Sequence, residues 1–455
     1  MVGVWEREIT KSMASEREIV RERAVALMSQ YVQIDTSNPP GNEMAAAEWL
    51  RDRLAENGVT SDVVIHETAP GRGVLVGRIE GTEPLKPLVL NHHMDVVPAD
   101  PRKWSHPPFA GEVADGYVWG RGTLDTKGLG VMHLVALERL RRVGVVFRRP
   151  VIFLAVPDEE VGGEKGMAWL VEHHAENLDP EWVWDEGGMG LRLKDGEVMF
   201  GIAVAEKKVL WLRLVAHGES GHGSLPNPNN PNAHLARALR LIADQRPHLR
   251  VNQVTRAMLG RLATTRSFPV SWLLRHAGNP LVMRLAGSRL AGSDLFAAML
   301  QDTVNITTLK AGYKTNVVPE RAEATLDCRL LPETDEEEFV RWLKSIIANE
   351  RIEIEVLEHS MPVSVAPLSG GLMDAIVRAA ERHVPGSLAV PIQMPGASDS
   401  RFWRAIGVPT YGIGPYIISE EEAKLVHGVD ERISVENLEL GVRITCDVIR
   451  SLCVE

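Results

Sequence analysis

The sequence predicts an α/β fold, a mainly parallel sheet covered by helices on both faces, interrupted by an inserted domain of α+β pattern. Three observations carry this. Short apolar runs without polar alternation (Leu88-Val89-Leu90, Val151–Val156, Trp182-Val183-Trp184) alternate with helical stretches, which is the rhythm of a parallel sheet buried on both sides. Past residue 205 the strands alternate apolar and polar instead, in the order strand-helix-strand-strand-helix-strand, a split βαβ (ferredoxin-like) pattern. Residues 363–455 then return to helix-strand-helix, with a strand at Val408–Ile413 that rejoins the first sheet. The expected organisation is a catalytic domain in two parts, 1–205 and 363–455, around an inserted domain at 206–362.

The elements follow in order. Residues 16–34 have helical periodicity (Ile19, Val20, Ala24, Leu27, Met28, Tyr31), and the turn-rich string Asp35-Thr36-Ser37-Asn38-Pro39-Pro40-Gly41-Asn42 breaks it. A second helix over 43–57 stops at Gly58, and a third over 127–143 stops at Gly144. In the insertion, Val209–Ala216 alternates, Ala233–Ile242 is helical, and 253–300 is helical with poor periodicity. Strands follow at Val304–Leu309, Ala322–Leu330 and Ile352–Leu357, with a helix over 335–348 whose expected capping box is Thr334 with Glu337. The string Leu285-Ala286-Gly287-Ser288 is echoed by Leu290-Ala291-Gly292-Ser293, too briefly for a repeat architecture.

At 455 residues the chain has room for about three domains, or for one large domain with an insertion. Its formal net charge of −11 weighs against nucleic acid. The nearest basic run, Arg139, Arg141 and Arg142, suits the last turn of a helix. The longest apolar run, Val198–Ala205, falls far short of the roughly 18 residues of a membrane span. Neither a nucleic acid nor a membrane is therefore expected as partner. Glu6, Arg7 and Glu8 stand where a signal peptide would be apolar. Three cysteines (Cys328, Cys446, Cys453) make no CxxC pair, which points to a reducing compartment, the cytoplasm, and away from a thiolate zinc site.

The chemistry gathers just past the carboxyl ends of the expected strands, where open α/β sheets bind ligands. His93 and Asp95 follow the first run, Glu159 and Glu160 the second, Asp185 and Glu186 the third. So many carboxylates in one crevice repel each other unless a cation lies among them. Carboxylate and imidazole without thiolate suit zinc, cobalt or manganese, and a pair of dications would offset most of the charge and clamp an attacking water. In extended chain His93 and Asp95 point the same way, so one can bind metal while the other supports it. Glu159 and Glu160 diverge, so one can bind metal while the other faces water as a general base. Asp125, just before the third helix, is either a helix cap or part of this site. His222, flanked by Gly221 and Gly223, and His427, in a loop-like setting, stand out from the other histidines. Competing motifs fail: Gly396-Ala397-Ser398-Asp399-Ser400 lacks the last glycine of a nucleophile elbow, there is no Walker A loop, and Ile417 stands where a dinucleotide fingerprint needs glycine.

These strings, in this order, resemble the dinuclear zinc hydrolases that include aminoacylase, acetylornithine deacetylase, succinyl-diaminopimelate desuccinylase, glutamate carboxypeptidase and carboxypeptidase S. The resemblance runs from Asp35-Thr36-Ser37-Asn38-Pro39-Pro40-Gly41 to His427-Gly428-Val429-Asp430-Glu431. It implies His93 and Glu186 as ligands of a first metal and Asp95 as the support of His93. It implies Asp125 as the bridge, Glu160 and His427 as ligands of a second metal, and Glu159 as the base. Asp185 is the alternative to Glu186, and His92 to His93. The inserted domain becomes a lid, with His222 reaching the reacting carbonyl, often across a homodimer, and Asn316 with Arg329 holding the substrate carboxylate. The alternative for Arg329 is an ion pair with Asp327. The extra helical stretch near 250–300 is shared with carboxypeptidase S-like members, the closest in layout, and such mass can replace or block a partner subunit. The implied reaction is hydrolysis of an N-acyl amino acid or short peptide with a free carboxylate, with two Zn²⁺ for which Co²⁺ can substitute. A deacylase and a dipeptidase or carboxypeptidase would share this machinery.

Overall fold

The computed structural model describes residues 2–193, 195–245, 248–290 and 294–454. The chain begins with helices α1 (Val2–Val32) and α2 (Glu43–Glu56), the hairpin β1 (Val63–Ala69) and β2 (Arg72–Ile79), then β3 (Leu88–His93). Two short strands, β4 (Val113–Ala114) and β5 (Tyr117–Trp119), precede α3 (Lys127–Arg142), β6 (Val151–Val156), α4 (Trp169–Leu178), β7 (Trp182–Arg192) and β8 (Val198–Glu206). Next come β9 (Lys208–His217), β10 (Gly221–His222), α5 (Pro231–Ala243), α6 (Gln253–Leu262), α7 (Val270–Arg275), α8 (Pro280–Leu290) and α9 (Asp294–Leu300). They are followed by β11 (Thr303–Ala311), β12 (Val317–Val318), β13 (Arg321–Leu330), α10 (Glu336–Ile347) and β14 (Ile352–Glu358). The chain closes with α11 (Gly371–His383), β15 (Leu388–Met394), α12 (Ser400–Ala405), β16 (Thr410–Ser419), β17 (Arg432–Ser434) and α13 (Val435–Cys453). It divides into two compact units, one of Met1–Val204, Val365–Ile392 and Ser398–Glu455, the other of Ala205–Ser364 and Gln393–Ala397.

The larger unit holds an eight-stranded sheet in the order β1-β2-β6-β3-β7-β16-β8-β15. Its centre is parallel: β6, β3, β7 and β16 pair in register in one direction, and antiparallel strands flank them. β3 and β6 are buried along their whole length, as expected for strands covered on both faces. Val89, Ile152, Leu154 and Val183 pack with Leu170 and Leu178 of α4 and with Phe402 and Trp403 of α12. On the other face His92 and Phe153 are in ring contact beneath α3, and α1, α3, α11 and α13 pack against one another. Gly130 of α3 is required here, because a Cβ would lie 2.4 Å from the His92 ring.

In the second unit, four antiparallel strands take the order β11-β13-β9-β14. Leu210, Leu212, Leu214 and Ala216 recur every second residue along β9 and bury the face that Leu235, Ala238 and Ile242 of α5 and Phe339, Leu343 and Ile347 of α10 cover. Among the described residues of the 253–300 stretch, the helical expectation is met by α6, α7, α8 and α9.

Several local expectations are corrected. The hairpin β1–β2, unassigned from sequence, adds an antiparallel edge. The α10 helix is capped by Asp335, whose side chain accepts the Glu338 N–H at 2.8 Å. The Thr334 hydroxyl donates instead to Asp302 at 2.8 Å, so the Thr334–Glu337 capping box does not form. Asp125 is not a cap either; α3 starts at Thr126 with no side-chain cap bond. Of the Leu-Ala-Gly-Ser echo, residues 291–293 lie outside the described residues.

Gly130→Ala should destabilise the chain by about 1–3 kcal/mol, the usual cost of overpacking, read from the urea midpoint. An unchanged midpoint would contradict the α3–His92 packing.

Candidate active site

Three strands of the parallel centre deliver the expected side chains to one edge. His93 is the last residue of β3 and is buried. Its Nε2 lies 2.9 Å from Asp125 Oδ1 and 3.8 Å from Glu186 Oε1. Beyond β6, Glu159 and Glu160 stand in a single 3₁₀ turn, not in extended chain, after Asp158 in the left-handed region (φ 77). His427, itself at φ 58, brings its Nε2 to 3.0 Å from Asp125 Oδ2 and 3.1 Å from Glu160 Oε2. The side chains thus form two donor groups, His93–Asp125–Glu186 and Asp125–Glu160–His427, each with its ligand atoms within 4.8 Å of one another. Asp125 belongs to both, one oxygen toward each histidine.

The two alternatives lie elsewhere. Asp185 is fully buried; its Oδ1 accepts from Asn91 Nδ2 at 2.8 Å and from the Glu186 N–H at 2.9 Å, its Oδ2 from the Ser400 hydroxyl at 2.8 Å. Both acids lie within β7 rather than past its end, since β3 stops pairing with β7 at Trp184 while β7 runs on. His92 points to the opposite face, where its Nε2 is 3.1 Å from the Tyr31 hydroxyl.

Asp95 supports the site differently from expectation. His93 Nδ1 bonds the main-chain oxygen of Asp95 at 2.9 Å, and the Asp95 carboxylate is 3.6 Å away. That carboxylate accepts the N–H groups of Glu159 and Glu160, both at 3.1 Å, and Asn38 Nδ2 at 2.8 Å. Behind it, Arg72 donates to Asn38 Oδ1 at 2.9 Å and to Glu43, which are both buried. A second brace runs through Glu431, fully buried, which accepts from Arg121 at 2.7 Å and from the N–H groups of Gly122, Leu124 and Asp125 at 2.8–3.3 Å. Arg121 also donates to the carbonyls of His427 and Gly428. It thereby ties the Asp125 loop to the His427 loop. Asn38, Glu43, Arg72, Arg121 and Glu431 were missed as positioning residues. Asn38 and Glu431 stand inside strings already singled out.

The electrostatics describe a site short of positive charge. Burial pushes Glu159 and Glu186 well above the usual carboxylate range, with neighbouring carboxylates adding to the rise. Burial also acts to raise Asp125, but hydrogen bonds from His427 and His93 hold it below that range. Hydrogen bonds to Asp125 and Glu160 lift His427 to about 10. The donor set of imidazoles and carboxylates, with Glu160 Oε1 buried and without a partner among the described residues, fits a divalent cation.

The remaining expected residues belong to the second unit. His222 is exposed on β10, with Nδ1 2.7 Å from the Ser224 hydroxyl. β10 pairs with β12, and the Gly223 N–H donates to Asn316 O at 2.9 Å, so His222 and Asn316 are neighbours. Arg329 is engaged by Asp327, Nε at 2.7 Å and Nη2 at 3.1 Å, the ion pair weighed as its alternative.

Comparison with known proteins follows from this geometry. The family model described as "Peptidase family M20/M25/M40" matches residues 89–451. The chain belongs to this family. The chain of this M20 protein is 32% identical over 469 residues to the N-fatty-acyl-amino acid synthase/hydrolase PM20D1 of Xenopus tropicalis, covering 99% of the chain and 90% of that protein. It is 29% identical to aminoacylase-1 of Sus scrofa, covering 97% and 98%. Among solved structures, the M20 family metallo-carboxypeptidase Sso-CP2 from Sulfolobus solfataricus superposes with a TM-score of 0.71 at 19% identity, over 94% of this chain and 98% of that one. This likeness establishes the shared fold. The resemblance read from the motifs therefore holds, and the M20 protein is a metal-dependent amide-bond hydrolase.

Asn38→Ala removes a hydrogen bond to a charged group, an interaction of about 1.5–3 kcal/mol. It should lower kcat roughly 10- to 100-fold while KM and metal content stay near those of the unaltered chain. An unaltered kcat would sever the Asp95 brace from catalysis.

Proposed function

We propose that this protein hydrolyses the amide bond of an N-acyl amino acid, or of a short peptide with a free carboxylate, as a di-zinc enzyme in which Co²⁺ can replace Zn²⁺. The observation that carries the reading is the shared Asp125 carboxylate, with His93 and Glu186 on one side and Glu160 and His427 on the other. The N-acyl side of the reading is supported by the relatives, one named for N-fatty-acyl-amino acids and one an aminoacylase.

Bound by these residues, the metal pair supplies Lewis acidity to the scissile carbonyl and to the attacking water. Glu159 takes the proton of that water and delivers it to the leaving amine. Its turn is pinned by the Asp95 carboxylate, which accepts the N–H groups of Glu159 and Glu160. The role carried over to His222 is to stabilise the oxyanion, and that of Asn316 with Arg329 is to hold the substrate carboxylate. The adjacency of His222 on β10 and Asn316, just before β12, supports these two residues acting together. Arg329 keeps Nη1 free of Asp327 for such a contact.

The proposal includes cytoplasmic residence, supported by three buried free thiols, Cys328, Cys446 and Cys453. Among the described residues no helix is long and apolar enough to cross a membrane. It also includes a homodimer through the inserted unit. The edge strand β11 supports this, being exposed along most of its length with Leu309 60% accessible.

The test is amine release from a panel of N-acetyl, N-succinyl and long-chain N-acyl amino acids and dipeptides, with Zn²⁺ or Co²⁺ and with chelator. Chelator should abolish hydrolysis. Glu159→Gln should retain metal and lose at least about 100-fold in kcat, the usual share of a general base. Dipeptides cleaved in preference to every N-acyl amino acid would make the enzyme a peptidase. Near-normal turnover by Glu159→Gln would remove Glu159 from the base role.

A further inference from the structure

The inserted unit carries a local charge opposite to that of the chain. Residues 245–293 contain eight arginines and no lysine, aspartate or glutamate, in a chain of net −11, so the remainder carries −19. Arg250 is spent on Asp302. Arg256, Arg275 and Arg284 are exposed, and none of the three has an acidic partner among the described residues.

Large apolar side chains are exposed among them. Phe268 is 80% accessible, Leu281 70% and Trp272 46%. Within α7, Trp272 and Arg275 are three residues apart and share a face, and Phe268 stands in the turn just before the helix. The His276 ring stacks on Trp272 with centroids 4.5 Å apart. The Arg256 guanidinium lies against Gly278, close enough that a Cβ there would be 3.0 Å from Nη2. It thus joins the turn between α7 and α8, three residues before Leu281. Leu274, Ala277 and Val282 face the other way and are buried. The stretch thus buries part of its apolar surface and leaves Phe268, Trp272 and Leu281 exposed among arginines that have no acidic partner among the described residues.

We propose that this face docks on an anionic lipid surface, with Phe268, Trp272 and Leu281 at headgroup level and Arg256, Arg275 and Arg284 on the phosphates. Charge complementarity selects the occupant. Unpaired guanidinium groups favour an anionic surface. Exposed phenylalanine and leucine gain from a lipid boundary and nothing from a sugar-phosphate backbone. The acidic remainder of the chain is repelled by the same surface, which orients the contact. The helices are too short to insert, so docking is peripheral and reversible. The sequence expectation of no membrane partner drew on the lack of a spanning apolar run, a criterion that does not bear on a peripheral contact by this segment. The inference does not depend on the substrate.

Sedimentation of the full chain with vesicles of phosphatidylcholine, alone or mixed with phosphatidylglycerol, tests it. Binding is expected to the mixed vesicles only, and to weaken as salt rises. Joint substitution of Arg256→Gln, Arg275→Gln and Arg284→Gln should reduce the partition coefficient roughly 100-fold. Phe268→Ser with Trp272→Ser should reduce it as well. All variants should keep their thermal midpoint and their turnover of a soluble substrate. Failure of the native chain to sediment with mixed vesicles would overturn the proposal, as would undiminished binding by the triple arginine variant. A vesicle-free dimer that the same variant converts to monomer, without vesicle binding by the native chain, would assign the face to a second copy.

Discussion

Crowding of like charge at one edge of a sheet is the constraint around which the larger unit is organised. Asp125, Glu159, Glu160 and Glu186 meet His93 and His427 in a space where ligand atoms fall within 4.8 Å of one another. Burial makes each carboxylate costly to ionise, and at Glu159 and Glu186 the neighbouring carboxylates add to the cost while His93 offsets part of it. The arrangement is stable as a cation site and unfavourable as anything else. Asp125 is its centre because one carboxylate serves both donor groups.

A site of this kind has to be held open by the protein, since the side chains would otherwise relax away from one another. Three braces do this from different parts of the chain. Arg72 and Asn38 hold Asp95, which pins the turn carrying Glu159 and Glu160. Arg121 and Glu431 hold the loops of Asp125 and His427 together. Asn91 and Ser400 hold Asp185, and through its bond to the Glu186 N–H they set the strand that carries Glu186. Each brace is a buried charge or amide held by hydrogen bonds, so removing one member takes a partner from a polar group in the interior.

The candidate site was legible because a parallel sheet exposes its strand ends, and apolar runs ending in acids and histidine mark those ends without any knowledge of pairing. The braces were not legible. Arg72 and Glu43 are separated from Asp95 in sequence and approach it only through the hairpin of β1 and β2, whose strands were not assigned. The choice between Asp185 and Glu186 depended on where β3 stops pairing with β7, which is a property of the sheet and not of either residue. At Thr334, side-chain partners from another segment, Asp302 and Arg250, outbid the local capping pattern. Arg329 shows the same limit: a guanidinium two residues from an aspartate on a strand lies on the same face and pairs with it.

The central claim is that the Asp125 carboxylate joins two metal sites, and metal stoichiometry tests it most directly. Elemental analysis of the native chain after equilibration with Zn²⁺ and desalting should find two ions per chain. Asp125→Asn should lose affinity for both together, because each donor group would forfeit a charged ligand. A native chain that saturates at one ion, or an Asp125→Asn variant that keeps one site at native affinity, would contradict the account.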